Sequence, residues 1–539
     1  MSRAEWAERR GRRLLKECRW TRASAVLRWG LRAGDEPRLR SLAGQACWWL
    51  DRLEEARAER ERAYRLFTER NDPCAAAQEA MWLAREHIFA SAAGSVAEGW
   101  FQNAERAVAT CGDEVARLWL PALRLSVGMQ PGDALDAAEA LETATRKAGD
   151  PDLHAFALAQ LGLNEVGRSR VEPGLRHLEA AAAAALGGDV KERYVASEIL
   201  CTVLFGCDIA RDYRRALEWI AHSEEIGRAR GGTFLAAVCR VTRATILTAA
   251  GDWAGAETDL EEAKRLFESS HHALRVPAVA RLADLRVRQG RLEAAAELLS
   301  GIEHHHAAVI PRARLALATG SAGTAIELLE QSLAPEPALG DAAALQLLVE
   351  ALLAAGRSDL AAARAEQLVA LGRASGSSEV EVDGLRAQAA VVGAGDVDAG
   401  QALLRAALAK VWRHERSPAL PALHLQLASL LADSDEQVAA AHARSALAGF
   451  AALGATRERD EAASLLRRLG RPTRLVAESA DGLSGREREV WELIALGLSN
   501  PEIADRMFIS RKTVERHVTT LLSKLQLRNR AEAAARFNK

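Results

Sequence analysis

Between Ser510 and Arg530, six basic side chains (Arg511, Lys512, Arg516, Lys524, Arg528, Arg530) stand against one carboxylate, Glu515. Cations in such excess neutralise phosphates and release condensed counterions. Within this stretch Lys512, Glu515, Arg516 and Thr519 recur at three- and four-residue spacing, so a helix presents them on one face. Their groups are donors and acceptors of the kind that meet base edges. The opposite face carries Val514, Val518, Leu521, Leu522 and Leu525, an apolar stripe for a core. The chemistry is contact with a polyanion plus directional readout.

Such a face has to be held by neighbouring elements, and the surrounding residues supply them. Ser484 with Glu487 three residues on is a capping box, and Leu483 can staple the helix it opens. Val490, Leu493, Ile494 and Leu496 or Gly497 give that helix an apolar side. Asn500 is expected to cap a short second helix, Pro501–Met507, with Pro501 in its first position and Ile503 and Ala504 inward. Phe508 and Ile509 make a tight connection, and Ser510 caps a third helix running to about Leu525. A short helix, a tight turn and a longer basic helix have helix-turn-helix geometry, which suits a major groove. A last helix covers about Arg530–Phe537.

The segment LSGREREVWELIALGLSNPEIADRMFISRKTVERHVTTLLSKLQLRNRAEAAA resembles the LuxR-type helix-turn-helix domain of bacterial transcription regulators. The likeness covers nearly all of Leu483–Ala535, about a tenth of the chain. It rests on the opening Arg-Glu pair, Gly497, the Glu-Ile-Ala core, the Ser-x-Lys-Thr-Val run and the closing basic residues. It implies base contacts from Lys512, Glu515, Arg516 and Thr519. It implies phosphate contacts from Ser510 and Thr513, with Asn500, Arg511 and Lys524 as further candidates. It also implies a homodimer on double-stranded DNA through the last helix (Ala533, Ala534, Phe537) and contact with RNA polymerase. Two positions depart from the family pattern: Gln526 stands where glycine is frequent, and Glu515 where a basic residue or Asn is common. A carboxylate there repels phosphate but can accept from cytosine N4.

Upstream, long Ala/Leu/Arg/Glu segments with helical periodicity are broken by Gly-Asp or Gly-Arg pairs, and strand signals are nearly absent. A frame recurs in full at Gly251, Trp253, Ala256, Leu260 and Ala263, and at Gly132, Ala134, Ala137, Leu141 and Ala144. Shorter matches start at Asp51, Arg211, Gly290, Gly320, Gly356 and Gly395, and from Arg211 the starts lie 40, 39, 30, 36 and 39 residues apart. That period suits one pair of helices with their turns. The pattern resembles a degenerate tetratricopeptide repeat over roughly Asp51 to Gly470. The expected fold is all-α: a tetratricopeptide-like α-solenoid over residues 1–470, a linker over 471–482, and a small four-helix module over 483–539.

Other features narrow the function. The net charge of −2 excludes a globally basic nucleic-acid coat, but residues 483–539 hold 11 Lys/Arg against 7 Asp/Glu. Seven scattered cysteines with no CxxC pair suggest buried free thiols in a reducing compartment. The basic N-terminus, MSRAEWAERRGRRLLKECRW, lacks a signal sequence's apolar run, and no window reads as a membrane span, so a cytosolic protein is expected. Eight of the twelve tryptophans lie in the first 120 residues; they suit an aromatic groove or, as on most repeat helices, the inter-helix core. His304–His306 and His271–His272 lack accompanying ligands, so neither metal nor cofactor is expected. The chain has no Gly-Lys dipeptide, hence no P-loop, and no nucleophile–base pattern, hence no expected enzyme activity. The reading is a regulator whose repeat arm senses a small-molecule or protein effector; the alternative is a protein-interaction scaffold whose terminal module only tethers or dimerises.

Overall fold

The computed structural model describes residues 1–50, 52–91, 94–129, 132–229, 239–269, 272–411, 417–473, 490–491, 493–495, 498–507, 511–525, 527 and 529–537. Among these, every regular element is a helix. Gly251 shows how the frame works. It ends the Arg240–Ala250 helix with φ of 84°, a left-handed conformation that costs glycine little. Trp253, Ala256, Leu260 and Ala263 of the following helix, Trp253–Ser269, are then all buried. Alanines at the helix–helix contact allow close approach, while leucine fills the space between pairs.

The other copies vary on this theme. The copies from Gly290 and Gly320 bury Ala295 with Leu299 and Ala325 with Leu329. In the copy from Gly132 the buried face slips by one residue, to Ala138, Leu141 and Thr145, so Ala137 and Ala144 are only partly covered. In the earliest copy Leu53, Ala56 and Ala63 are buried as the frame requires, but its leucine position is filled by Arg60. That guanidinium lies in the core, paired with Glu86 at 2.7 Å and Glu79 at 3.1 Å.

A stack of repeats is expected to touch only its neighbours, yet this arm folds back on itself. Arg85 pairs with Glu198, 113 residues away. Arg211 pairs with Asp383 at 2.5 Å, and the Ser377 hydroxyl donates to the Ala210 carbonyl at 2.9 Å. Further along, the Thr456 hydroxyl donates to the Gln289 carbonyl at 2.8 Å. This approach is possible because residue 290 is glycine: a Cβ there would lie 2.0 Å from Thr456 Oγ1. One apolar cluster joins Ala244, Leu247 and Trp253 to Leu425, Phe450, Leu465 and Leu466.

The expectation of seven free thiols is corrected. Cys74 is disulfide-bonded to Cys111 and Cys201 to Cys239, leaving Cys18, Cys47 and Cys207 free. The sequence separations, 37 and 38 residues, are about one repeat period, so folding into helix pairs returns each cysteine to its partner's level. No helix among the described residues is long and apolar enough to cross a membrane. Most of the expected linker, residues 474–482, lies outside the described residues.

Candidate nucleic-acid interface

The C-terminal module closes its own core. Val490, Ile494, Ile503, Val514, Leu521 and Ala533 are each at most 1% exposed and pack together with Trp491, Leu493, Ala504 and Leu525. Trp491 was not singled out from sequence, yet it ties the first helix to the last: its indole Nε1–H donates to the Ala533 carbonyl at 2.7 Å. A tryptophan on an apolar face, with a donor that needs a buried acceptor, was the available signal. The Ser484–Glu487 capping box and Leu483 lie outside the described residues.

The second helix, Asn500–Met507, starts one residue before the expected position. Ser499, not Asn500, precedes it; its backbone N–H and its hydroxyl both donate to Glu502 at 2.7 Å. Those hydrogen bonds hold the Glu502 carboxyl below its ordinary range. Asn500 is thereby freed for another task. Its side-chain oxygen accepts from Arg530 Nη1 at 2.8 Å, linking the second helix to the fourth. Arg530 therefore positions a helix start, a role that counting it as one of six cations did not reveal.

The third helix spans Arg511–Lys524, about 21 Å at ~1.5 Å per residue. Val514 and Leu521 face the core, while Glu515, Arg516 and Thr519 are exposed together on the far side. Arg511 Nε donates to Glu515 Oε1 at 3.2 Å, an exposed pair one helical turn apart. Pairs of this kind contribute under ~1 kcal/mol and exchange readily for other partners. The Thr519 hydroxyl donates to the Glu515 carbonyl at 2.9 Å, which leaves its oxygen able to accept from an incoming donor. The face thus offers a cation at Arg516, an acceptor at Glu515 and a hydroxyl at Thr519. Lys524 is exposed at the helix end. Ser510 and the side chains of Lys512 and Thr513 lie outside the described residues, so the expectations placed on them rest on spacing alone.

Residues 481–537 match the family described as bacterial regulatory proteins, luxR family. The C-terminal module is a LuxR-family domain. Over 76 residues the chain is 45% identical to the DNA-binding transcriptional activator DevR/DosR of Mycobacterium tuberculosis, covering 14% of this chain and 33% of that one. Over 50 residues it is 50% identical to the oxygen regulatory protein NreC of Staphylococcus carnosus, covering 9% and 23%. The transcriptional regulatory protein LiaR of Bacillus subtilis is 46% identical over 54 residues, 10% of this chain and 26% of that protein. The chain thus spans a third or less of the length of these curated relatives. Among solved structures, the APC/C hetero-tetramer Cut9-Hcn1 aligns over 99% of this chain at 13% identity with a TM-score of 0.37. Yeast Tom70 aligns over 81% at 11% identity with a TM-score of 0.30.

The last helix of the LuxR-family domain, Arg530–Phe537, corrects one expectation. Ala533, assigned to a dimer face, is fully buried inside the same module, and its carbonyl is taken by Trp491. A residue that closes the core cannot also present itself to a second copy. Ala534 remains partly exposed, and the Phe537 side chain lies outside the described residues.

Proposed function

We propose that this protein is a sequence-specific DNA-binding transcriptional regulator, in which the helical arm binds an effector and governs how the LuxR-family domain engages its operator. The reading is supported chiefly by the Arg511–Lys524 helix, which sets Glu515, Arg516 and Thr519 outward together over an apolar base. Lys512 joins Glu515, Arg516 and Thr519 in meeting base edges, and Asn500, Ser510, Arg511, Thr513 and Lys524 serve the phosphates beside them. Asn500 contributes through the helix start that it and Arg530 hold in place. Two copies meet on the operator through the outer side of the last helix, and RNA polymerase contacts the assembled dimer. The arm's effector is a small molecule or a protein, bound in the cytoplasm without a resident cofactor.

The test is equilibrium binding of the full chain to genomic DNA fragments across a salt series, with Arg516→Ala in parallel. Selective, salt-sensitive binding is expected. Arg516→Ala should weaken the selected fragment more than random DNA, because a base contact carries discrimination while a phosphate contact does not. Equal losses on both would reduce Arg516 to a phosphate contact. No selective binding by the folded chain would favour a scaffold instead.

A further inference from the structure

Charge along the chain is divided in three. Residues 1–33 carry ten Lys or Arg against three Glu, a net +7. Residues 34–482 carry 50 against 63, a net −13, and residues 483–539 carry 11 against 7, a net +4. The densest positive charge is therefore at the end of the arm farthest in sequence from the LuxR-family domain. It is carried by a helical hairpin, Arg3–Lys16 and Trp20–Leu31.

The hairpin closes a core of its own with the next helix, and its basic face is outward. Ala7, Gly11, Leu14 and Leu15 of the first helix are buried against Ala23, Leu27 and Leu39. Arg9, Arg12, Arg13 and Lys16 follow at three- and four-residue spacing on the opposite side and are all exposed. Arg22 and Arg32 of the second helix and its C-terminal cap are exposed as well. Arg12 and Arg13 are paired to Glu8 and Glu17, whereas Arg9, Lys16, Arg22 and Arg32 make no ion pair among the described residues. A terminal repeat needs a polar outer face for solubility, but that need is met by mixed charge. Here four exposed cations are left over beyond those pairs, an excess that suits a polyanion. The row from Arg9 to Lys16 spans about 10 Å at ~1.5 Å per residue, long enough to meet several phosphates of one duplex. Ala7, Leu14 and Leu15 of the first helix are used up in the hairpin core, whereas Trp6 and Trp29 stay exposed edge to face with each other, so a lipid surface is made an arm of the test.

We propose that the N-terminal hairpin is a second, sequence-independent contact with double-stranded DNA, made through Arg9, Lys16, Arg22 and Arg32. This rests on the regulator reading, since the terminal domain is what brings a duplex to the chain. The hairpin adds phosphate contacts to a complex whose sequence preference is set elsewhere. It also stops the acidic middle of the arm from simply being repelled by the duplex.

The test compares the full-length chain with the quadruple variant Arg9→Gln/Lys16→Gln/Arg22→Gln/Arg32→Gln. Anisotropy titrations use a 40-base-pair random duplex and genomic fragments, from about 50 to 300 mM salt. Each lost phosphate contact lowers the slope of log K against log salt by about 0.9, so a fall of about two to four is expected. The ratio of selected to random affinity should not change. A variant with Lys at the three arginine positions should keep the wild-type slope, and an unchanged melting temperature confirms folding. An unchanged slope in the quadruple variant overturns the proposal, and if fragments are still selected the regulator reading survives. Random-duplex binding that needs the four cations, with no fragment preferred, keeps the hairpin contact and removes the regulator reading. Loss of binding to anionic phosphatidylglycerol vesicles with unchanged duplex binding would also overturn it, in favour of a membrane surface.

Discussion

The helical arm and the C-terminal domain are built from the same element, but they direct their charged side chains in opposite senses. Along the arm buried carboxylates are paired inward, most of these across the stack: Glu79 and Glu86 with Arg60, Glu198 with Arg85, Asp383 with Arg211, and Asp284 with Arg314 and, within its own helix, Arg288. In the domain the described core is apolar, and Glu515, Arg516 and Thr519 look outward. Burying charge is costly and is tolerated where it selects one arrangement over its alternatives. Exposing it contributes little to stability and leaves it available for a ligand. The difference separates residues that hold a shape from residues left available to a partner.

Removing a charge from each region should therefore have different consequences. The largest effect is expected from Arg60→Leu, which leaves Glu79 and Glu86 buried without their cation and should destabilise the arm by about 3–5 kcal/mol. Chemical denaturation would measure it; a loss under ~1 kcal/mol would mean that the inward charges are not structural. Arg516→Ala is expected to leave the melting curve alone and to cost about 1–3 kcal/mol in selective DNA binding. A shift in stability with unchanged binding would reverse the contrast. Trp491→Phe removes the hydrogen bond to Ala533 and should lower the domain's stability by about 1 kcal/mol. Hydrogen exchange at the last helix would report it without disturbance of the arm.

The smallest effect concerns pH. Burial pushes the Glu86 carboxyl up to about 7, outweighing the pull of Arg60, and the neighbouring Glu79 carboxylate adds to the rise. Between its ordinary value near 4.5 and about 7, the folded protein keeps a proton that the unfolded chain has released. Stability from this group therefore falls as pH rises through that window. Asp284 is the converse. Burial alone would raise it, but Arg288 and Arg314 outweigh burial and hold it well below the ordinary range, so its contribution is lost in acid. Glu86→Gln should flatten the decline in melting temperature between pH 5 and 8 by about 2 °C. An unchanged slope would place the proton elsewhere.

Much of the domain was legible because its signals are local. The periodicity that puts Val514 and Leu521 inward puts Glu515, Arg516 and Thr519 outward by the same arithmetic. Less legible were partners chosen at a distance. Asn500 was read as a cap because it precedes Pro501, but the helix starts from Ser499 and Asn500 answers Arg530, thirty residues on. Ala533 looked like an interface residue because small residues suit both interfaces and cores, and spacing cannot choose between them. In the arm, the frame at Gly251 was readable in full, whereas the slip after Gly132 was not, since Ala137 and Ala138 are the same residue type.

Sequence alone determined that the chain is helical, that it repeats at spacings of 30 to 40 residues, and that a basic helix stands near its C-terminus. These follow from spacing within one or two turns of helix. Only the tertiary structure decided that the arm closes on itself, that Cys74 meets Cys111 and Cys201 meets Cys239, and that Arg60 fills a leucine's place between two carboxylates. Each of those depends on residues between 19 and 172 positions apart. At that distance no local rule operates. The small rotation between successive helix pairs, summed along the stack, determines which side chains meet.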